Sequence, residues 1–207
     1  MSKQISIPAL KRLPSYYYIL CQSMESGKKY ISSATIAKLL DIDDTQVRKD
    51  IAATGYVGKP KVGFDIKDFK AHLENYLDLN TKKEAFLIGA GNLGIALAKY
   101  EGFKKYGLNI TALFDEDIHK IGTMVGSKKI FDIEKLPDLV ERMNVHIAIL
   151  TVPAPKAQEV ADFLVQSGIK AIWNFAPANI KVPDNIIISN QDLASSFVTL
   201  SLMMSGK

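Results

Sequence analysis

A glycine-rich turn near the middle of the chain has the residue types and spacing of a phosphate-binding loop. Gly89, Gly91 and Gly94 follow a short apolar run with strand character at 85–88 and precede a helix-forming run at 95–100. In this order the first glycine permits a tight turn, the second admits a pyrophosphate, and the third lets the helix pack closely on the sheet. The N–H groups that open the helix then face the negative phosphates. Taken alone, the pattern also fits an ordinary strand-to-helix turn.

An acidic residue at a suitable distance supports the phosphate-binding interpretation. A second strand-like run at 109–114 ends in Asp115, about twenty residues after the glycine turn, where a ribose-binding carboxylate is expected. A carboxylate there accepts hydrogen bonds from the adenosine ribose hydroxyls and repels a 2′-phosphate. The spacing therefore predicts a dinucleotide site that prefers NAD(H) to NADP(H).

The bulk properties of the chain narrow its class. Its 207 residues fit two small domains, and a hydrophobic share of 47% lets each of them bury a core. Cys21 is the single cysteine, so no intrachain disulfide can form, which suits a reducing cytoplasm. The sequence has no apolar run of eighteen residues and does not begin like a signal peptide. We therefore expect a cytoplasmic protein without a membrane span, and the net charge of +4 permits an acidic partner.

The first 80 residues predict a helical DNA-binding domain. An amphipathic helix that starts near residue 8 should be kinked or interrupted at Pro14. A short helix at 34–40, a tight turn and a helix at 46–53 capped by Asp44 or Thr45 complete a helix-turn-helix pattern.

The helix at 46–53 has the composition of a recognition helix. Val47 and Ile51 lie four residues apart and should face the core. Gln46, Arg48 and Lys49 are then left outward near the helix N-terminus, where recognition helices contact base edges and phosphates.

A glycine-rich hairpin, or wing, is expected at 55–64, with Lys59 and Lys61 at its tip. Between residues 45 and 61 the chain carries four basic side chains against a single acid, Asp50. This local excess favours double-stranded DNA as the partner, because each phosphate contact adds salt-dependent affinity. A solvated helical face followed by a flexible loop is the alternative interpretation.

The second domain, 84–190, alternates strand-like and helix-like runs as βαβ units do. The predicted fold class is thus an α/β Rossmann-like domain with a parallel sheet, preceded by an α+β winged-helix domain. Ligands of such sheets bind beyond the carboxyl ends of the strands, so the segments 151–154 and 174–177 should line the nicotinamide side. The polar joint at 80–83 is too short for a flexible linker, which predicts close coupling of the two domains.

The C-terminal segment, 191–207, is too apolar for a free surface helix. It packs either on its own sheet or against a partner subunit, and its composition favours the second arrangement.

No residue is placed for chemistry on a bound dinucleotide. A dehydrogenase needs a proton donor or acceptor, most often His or Lys, beside the nicotinamide. His72 belongs to the first domain, His119 to the adenosine-side turn, and His146 to the start of a strand, away from the ligand. The sequence has no Ser-His-Asp order and no metal-ligand spacing. We therefore predict that the protein binds the cofactor as a signal and does not catalyse a reaction with it, so we expect no catalytic residue and no metal.

Together these segments resemble the Rex family of redox-sensing transcriptional repressors across nearly the whole chain. The resemblance implies a homodimer that binds operator DNA near genes of anaerobic and fermentative metabolism and is released by NADH. The matching motifs are KRLP at 11–14 with YY at 16–17, QVRKD at 46–50, the glycine-rich wing, GAGNLG at 89–94, FD at 114–115, TVPA at 151–154 and NFAP at 174–177.

The expected binding residues follow from the motifs and from this resemblance. Tyr100 and Asp192 match a family pair whose contact depends on which nicotinamide form is bound. The residues expected to bind NAD(H) are Gly89, Ala90, Gly91, Asn92, Leu93, Gly94, Tyr100, Asp115, Glu116, Lys120, Thr151, Val152, Pro153, Asn174, Phe175, Ala176 and Asp192. The residues expected to bind DNA are Ser33, Thr45, Gln46, Arg48, Lys49, Lys59 and Lys61.

Four positions depart from the family pattern. Tyr18 stands where members usually carry Arg, and that Arg can pair with the acid at 192 in the DNA-bound state. Lys61 stands where Gly is common, Phe64 where Tyr is common, and Leu193 where an aromatic residue is frequent. Two other functions stay open: an NAD-dependent dehydrogenase with a DNA-binding appendage, and a Rossmann-like protein that binds coenzyme A or another nucleotide.

Overall fold

The computed structural model describes residues 5–205, which form two compact units that divide between Thr81 and Lys82. The first unit contains α1 (Ile7–Glu25), β1 (Tyr30–Ile31), α2 (Ser33–Leu40), α3 (Asp44–Ala53), β2 (Phe64–Asp65) and α4 (Ile66–Tyr76). One apolar core, which includes Leu13, Leu20, Ile36, Val47, Ile51, Phe69 and Leu73, joins all four helices. This arrangement confirms the winged-helix prediction for the first unit.

The first helix runs through Pro14 without a break, so the predicted interruption is wrong, and a kink at that position stays a prediction. Proline removes one intrahelical hydrogen bond and normally bends a helix. Here Leu13, Tyr16 and Leu20 are fully buried on the same side, and this packing holds the helix together around the proline. At α3 the cap is Asp43, whose side chain accepts from the N–H groups of two following residues, and neither Asp44 nor Thr45 takes that place.

The wing is also built differently from the predicted hairpin. Its strand β2 pairs antiparallel with β1, a two-residue strand that the sequence pattern did not reveal, with Tyr30 opposite Asp65. Within the glycine-rich segment itself, the described pairing is a single bridge between Lys59 and Gly63. The turn they close carries Lys61 in a left-handed conformation, with φ of 62°.

The second unit is a seven-stranded sheet flanked by helices. Its strands are β3 (Lys83–Ile88), β4 (Leu108–Asp115), β5 (Met124–Val125), β6 (Lys128–Asp132), β7 (Ile147–Leu150), β8 (Ala171–Asn174) and β9 (Ile187–Asn190). They lie in the order β5-β6-β4-β3-β7-β8-β9. All neighbours are parallel except β5 and β6, so the predicted parallel Rossmann-like sheet is confirmed, with a short antiparallel edge strand that was not foreseen.

The helices of the second unit are α5 (Asn92–Lys99), α6 (Leu136–Met143), α7 (Ala154–Gln166) and α8 (Leu193–Met204), with 3-10 turns at Glu101–Tyr106 and Ile133–Lys135. Strand β3 lies at the centre, where Ile88 is opposite Phe114 of β4 and Leu150 of β7. The chain leaves β3, β4 and β7 at the same edge of the sheet. The segments that follow these three strands therefore meet at one place.

Helix α8 forms where the sequence predicted it, and its apolar side chains are exposed on this chain. Leu193, Phe197, Val198, Leu200, Leu202, Met203 and Met204 are each at least 50% exposed. The alternative in which α8 packs on its own sheet is therefore wrong. Among the described helices, none is long and apolar enough to cross a membrane.

Candidate nucleotide pocket and DNA-contacting face

The glycine loop after β3 has little room for side chains at its first and third glycines. Gly89 has φ of 98°, and a Cβ there would lie 2.8 Å from the carbonyl oxygen of Thr151. A Cβ on Gly94 would lie 2.1 Å from the carbonyl oxygen of Gly89, so only glycine lets α5 pack this closely on the loop. A Cβ on Gly91 would meet nothing within 4 Å. The middle glycine thus presents its backbone to open space, as a pyrophosphate site requires.

A cavity of about 550 Å³ opens in front of this loop. The segments that follow β3, β4 and β7 supply most of its lining, and the predicted residues in it are Gly89, Gly91, Asn92, Leu93, Asp115, Glu116, Lys120, Thr151, Val152, Pro153 and Phe175. Gly91 is the N-cap of α5, and within residues 5–205 no side chain caps that helix. Its first N–H groups and the positive end of the helix dipole are therefore available to an anion.

Asp115 forms part of the cavity wall and is only 9% exposed. Its Oδ2 accepts hydrogen bonds from the backbone N–H of Ala90 at 2.7 Å and from Lys120 Nζ at 3.1 Å. Its Oδ1 accepts from the N–H of Asp117 at 2.9 Å. The hydrogen bond to Asp115 raises the pKa of Lys120. The carboxylate thus holds the glycine loop and the following turn together, in addition to any contact with a ligand.

Two further side chains close the cavity across strand ends. The Thr151 hydroxyl donates to the carbonyl oxygens of Ile88 at 3.0 Å and Gly89 at 2.8 Å, which ties the end of β7 to the glycine loop. Lys156 lines the same cavity, and its Nζ lies 3.6 Å from a carboxylate oxygen of Glu116. Lys156 lies on α7 and Glu116 follows β4, so this ion pair joins two different parts of the cavity wall.

A second cavity, also of about 550 Å³, is lined by Phe175, Ala176 and Asp192 among others, and it shares Phe175 with the first. Asn174 is 1% exposed, and its side chain bonds to Ala178 and Asn190 instead of facing ligand space. It therefore shapes this segment from within.

Tyr100 does not join the lining of either cavity. It is 61% exposed and packs edge-on against Phe103, with ring centroids 4.9 Å apart. The carboxylate of Asp192 caps α8 by accepting from the N–H groups of Ala194 and Ser195. Neither of these two cavities therefore brings Tyr100 and Asp192 together. Ala90 lines a further cavity with Lys99 and His119, and this cavity shares Gly91, Asn92 and Lys120 with the first one.

In the first unit, the outward face of α3 carries exposed Thr45, Arg48 and Lys49. Arg48 Nη2 lies 2.7 Å from Asp44 Oδ2 one turn earlier, so an ion pair must open or rearrange before Arg48 contacts DNA. Ser33 is the half-buried first residue of α2.

The wing adds two cations to this face. Lys59 Nζ lies 5.7 Å from the centre of the Tyr30 ring, and Lys29 Nζ lies 5.6 Å from the same ring. Lys61 is exposed in the turn between Lys59 and Gly63. The wing therefore offers several positive charges over a short distance, as contact with phosphates requires.

Behind this face lies a buried polar network that the sequence reasoning missed. Asp50 is 2% exposed and accepts from Arg12 Nε at 2.6 Å, Arg12 Nη2 at 2.9 Å, the Tyr16 hydroxyl at 2.7 Å and Gln46 Nε2 at 2.7 Å. Burial acts to raise the pKa of Asp50, but these hydrogen bonds outweigh it and hold the pKa below its ordinary value. The available signal was the position of Asp50 beside Ile51, on the arc of α3 that faces the core, where an acid needs partners.

Comparison with known proteins gives matches along the whole chain. The family model described as "CoA binding domain" matches residues 80–178, and the one described as "Putative DNA-binding protein N-terminus" matches residues 4–52. A "Redox-sensing transcriptional repressor Rex" of Treponema denticola is 44% identical over 200 residues, which cover 97% of this chain and 95% of the relative. The Rex of Clostridioides difficile is 36% identical and covers 100% of this chain and 99% of its own.

Two solved structures of a Rex-family repressor also match this chain over almost its whole length. The repressor RSP in complex with β-NAD⁺ and operator DNA superposes with a TM-score of 0.91 at 34% identity, covering 99% of this chain and 94% of that one. RSP in complex with β-NADH has a TM-score of 0.89 at 34% identity, covering 98% and 95% of the two chains.

Proposed function

This chain belongs to the Rex family of redox-sensing transcriptional repressors, and from that premise we propose that it binds operator DNA through its first unit, binds NAD(H) in its second, and leaves the operator when NADH binds. One observation carries the proposal. The first unit carries a basic recognition helix and wing, and the second carries a glycine loop that borders a cavity. The match to a full-length Rex repressor covers both units in this order. Like its relatives, the chain is a repressor and not an enzyme.

The residues present fit a dinucleotide. The backbone at Gly91 and the uncapped start of α5 suit the pyrophosphate, since they offer N–H groups beside open space. The acceptor at Asp115 suits the adenosine ribose, and the segments 151–153 and 174–176 suit the nicotinamide half. When bound, the oxidised and reduced dinucleotides would differ in the charge and shape of the nicotinamide ring. The chain would supply only groups that bind these forms and would carry out no reaction on them. The individual contacts remain proposals.

We propose that the repressor is a homodimer joined through α8. Seven apolar side chains on this helix are at least half exposed, and they would destabilise a free monomer surface. A dimer also provides the two recognition helices that a palindromic operator demands, about one helical turn apart. We further propose domain limits of 1–80, 84–190 and 191–207 and a cytoplasmic location.

Coenzyme A is the second candidate ligand, because the family model that matches residues 80–178 is described by that ligand. Asp115 argues against it, since a carboxylate at the ribose repels the 3′-phosphate of coenzyme A as it does a 2′-phosphate.

Calorimetric titration of the purified chain with NADH, NAD⁺ and coenzyme A separates the candidates. We expect binding of NADH and NAD⁺ and none of coenzyme A at matched concentrations.

A second experiment tests the switch. A DNA duplex is first selected from a random pool by the purified protein, and the affinity for NADH is then measured with and without saturating duplex. Linkage requires that DNA weaken NADH binding by the same factor by which NADH weakens DNA binding. Equal NADH affinities in the two conditions would show a protein that binds both ligands without sensing redox state.

A further inference from the structure

The buried carboxylate of Asp50 fixes the side-chain amide of Gln46 in one orientation. Gln46 Nε2 donates to Asp50 Oδ1 over 2.7 Å. An ionised carboxylate can only accept hydrogen bonds, so the amide oxygen cannot occupy the place of the nitrogen. The lowered pKa of Asp50 keeps the carboxylate ionised at neutral pH. The assignment of the amide atoms therefore follows from chemistry.

What Gln46 then has left for a ligand is one N–H donor and one carbonyl acceptor, side by side. Gln46 is the third residue of α3 and is half-buried, at the helix end where recognition helices meet base edges. The major-groove edge of adenine offers the matching pair, an N7 acceptor and an N6 donor. Guanine offers two acceptors, N7 and O6, and the side-chain carbonyl of Gln46 would repel one of them.

We propose that Gln46 reads an adenine in each operator half-site and that Asp50 is the positioning residue that orients it. The proposal rests on the proposed function, since it requires that operator DNA meet α3. Asp50 is held in turn by Arg12 and Tyr16 of α1, so the orientation of Gln46 is set by the supporting helix as well as by α3.

The test begins with a random duplex pool from which the wild-type protein, Gln46→Ala and Lys49→Ala each select sequences. The affinities for all single-base-pair variants of the wild-type consensus are then measured by fluorescence anisotropy. At one position in each half-site we expect the wild type to prefer A·T over G·C by about 5- to 150-fold. Gln46→Ala should lose that preference and keep those at other positions. Lys49→Ala, the matched control from the same helix face, should retain it.

Asp50→Asn separates positioning from mere folding. An asparagine can donate to Gln46 as well as accept from it, so the amide is no longer held one way. We expect the preference to fall at the same base pair as in Gln46→Ala, with an unchanged salt dependence of binding to unrelated DNA. A structural role alone would weaken binding to every sequence alike. NADH binding and the far-ultraviolet circular dichroism spectrum verify that each variant is folded.

The outcomes that overturn the inference are distinct from failure of the repressor function. If Gln46→Ala keeps the wild-type ratio at every position, Gln46 reads no base, although the chain remains an operator-binding protein. If Asp50→Asn keeps the full preference at that base pair, Asp50 does not orient Gln46. If the wild type enriches no sequence from the pool, operator binding and this inference fail together.

Discussion

Replacing Asp50 by alanine should destabilise the first unit far more than removing any exposed acid of the same helix. The change leaves the Tyr16 hydroxyl, which is 0% exposed, without its acceptor, at a cost of about 1–3 kcal/mol. It also leaves the Arg12 guanidinium, on a side chain that is 29% exposed, without its bidentate partner. Breaking a buried ion pair from one side costs about 3–5 kcal/mol, and that range is the expected loss here.

The assay is urea unfolding followed by far-ultraviolet circular dichroism, because the single Trp173 reports only on the second unit. Asp44→Ala is the matched control, since its carboxylate pairs with Arg48 at the surface of α3 and is worth at most about 1 kcal/mol. Equal losses of unfolding free energy in Asp50→Ala and Asp44→Ala would refute the reasoning. The double variant Arg12→Met, Asp50→Leu should recover part of the loss, because it removes both charges together.

The same carboxylate makes the stability depend on pH in a defined direction. Its folded pKa lies below that of an unfolded Asp, about 3.9. As the pH falls, Asp50 is therefore protonated in the unfolded chain before it is protonated in the folded one. The stabilisation from Asp50 is complete above the unfolded pKa and is lost as the pH drops through the folded pKa. Below about pH 4 the unfolding free energy of the wild type should fall more steeply than that of Asp50→Asn. Parallel curves would exclude this contribution.

Three further variants test the two binding sites. Asp115→Ala should weaken NADH binding by about 1.5–3 kcal/mol and relax discrimination against NADPH, because a charged acceptor is lost and Lys120 loses one of its two carboxylate partners. Calorimetry that finds NADH and NADPH bound equally well by the wild type would contradict this. Arg48→Ala should lower operator affinity by about 1–3 kcal/mol per half-site and leave NADH affinity intact, whereas an equal loss on unrelated DNA would identify Arg48 as a phosphate contact only. Lys61→Gly should stabilise the wing by about 1 kcal/mol, because glycine adopts the φ of 62° at this position without strain. It should also reduce the slope of log affinity for DNA against log salt by about 1, and an unchanged slope would show that Lys61 does not contact DNA.

The sequence predicted those features that depend on neighbouring residues along the chain. The glycine turn between β3 and α5 and the apolar helix α8 are local patterns, and both form where expected. The pairing of β1 with β2 joins residues such as Tyr30 and Asp65, whose meeting no local pattern indicates. Helix α1 continues through Pro14 for a similar reason, since the packing that holds it comes from other helices.

The candidate sites show the same division. Gly89, Gly91 and Asp115 were identifiable because their spacing is itself the motif, and all three line the cavity. The network around Asp50 joins it to Tyr16 and Arg12, 34 and 38 positions away, so the sequence shows an acid on the core-facing side of α3 without identifying its partners. The hydrogen bond from the Asn174 side chain to Asn190 was not predicted, because Asn190 lies 16 positions away in another strand, β9.

The two buried acids, Asp50 and Asp115, differ in one respect that matches the separate roles proposed for them, positioning for Asp50 and ligand binding for Asp115. A carboxylate has about four acceptor sites. At Asp50 the described donors fill all of them, with Arg12 supplying two hydrogen bonds and Tyr16 and Gln46 one each, so Asp50 has no acceptor site left for a ligand. At Asp115 the described donors supply three, which leaves Oδ1 able to accept one more from within the cavity. A ribose hydroxyl is a donor of the required kind. The conservative variants should therefore diverge. Asp115→Asn, which retains an acceptor but loses charge, should keep part of the NADH affinity. Asp50→Asn should weaken the base preference that depends on Gln46 and leave NADH affinity unaltered.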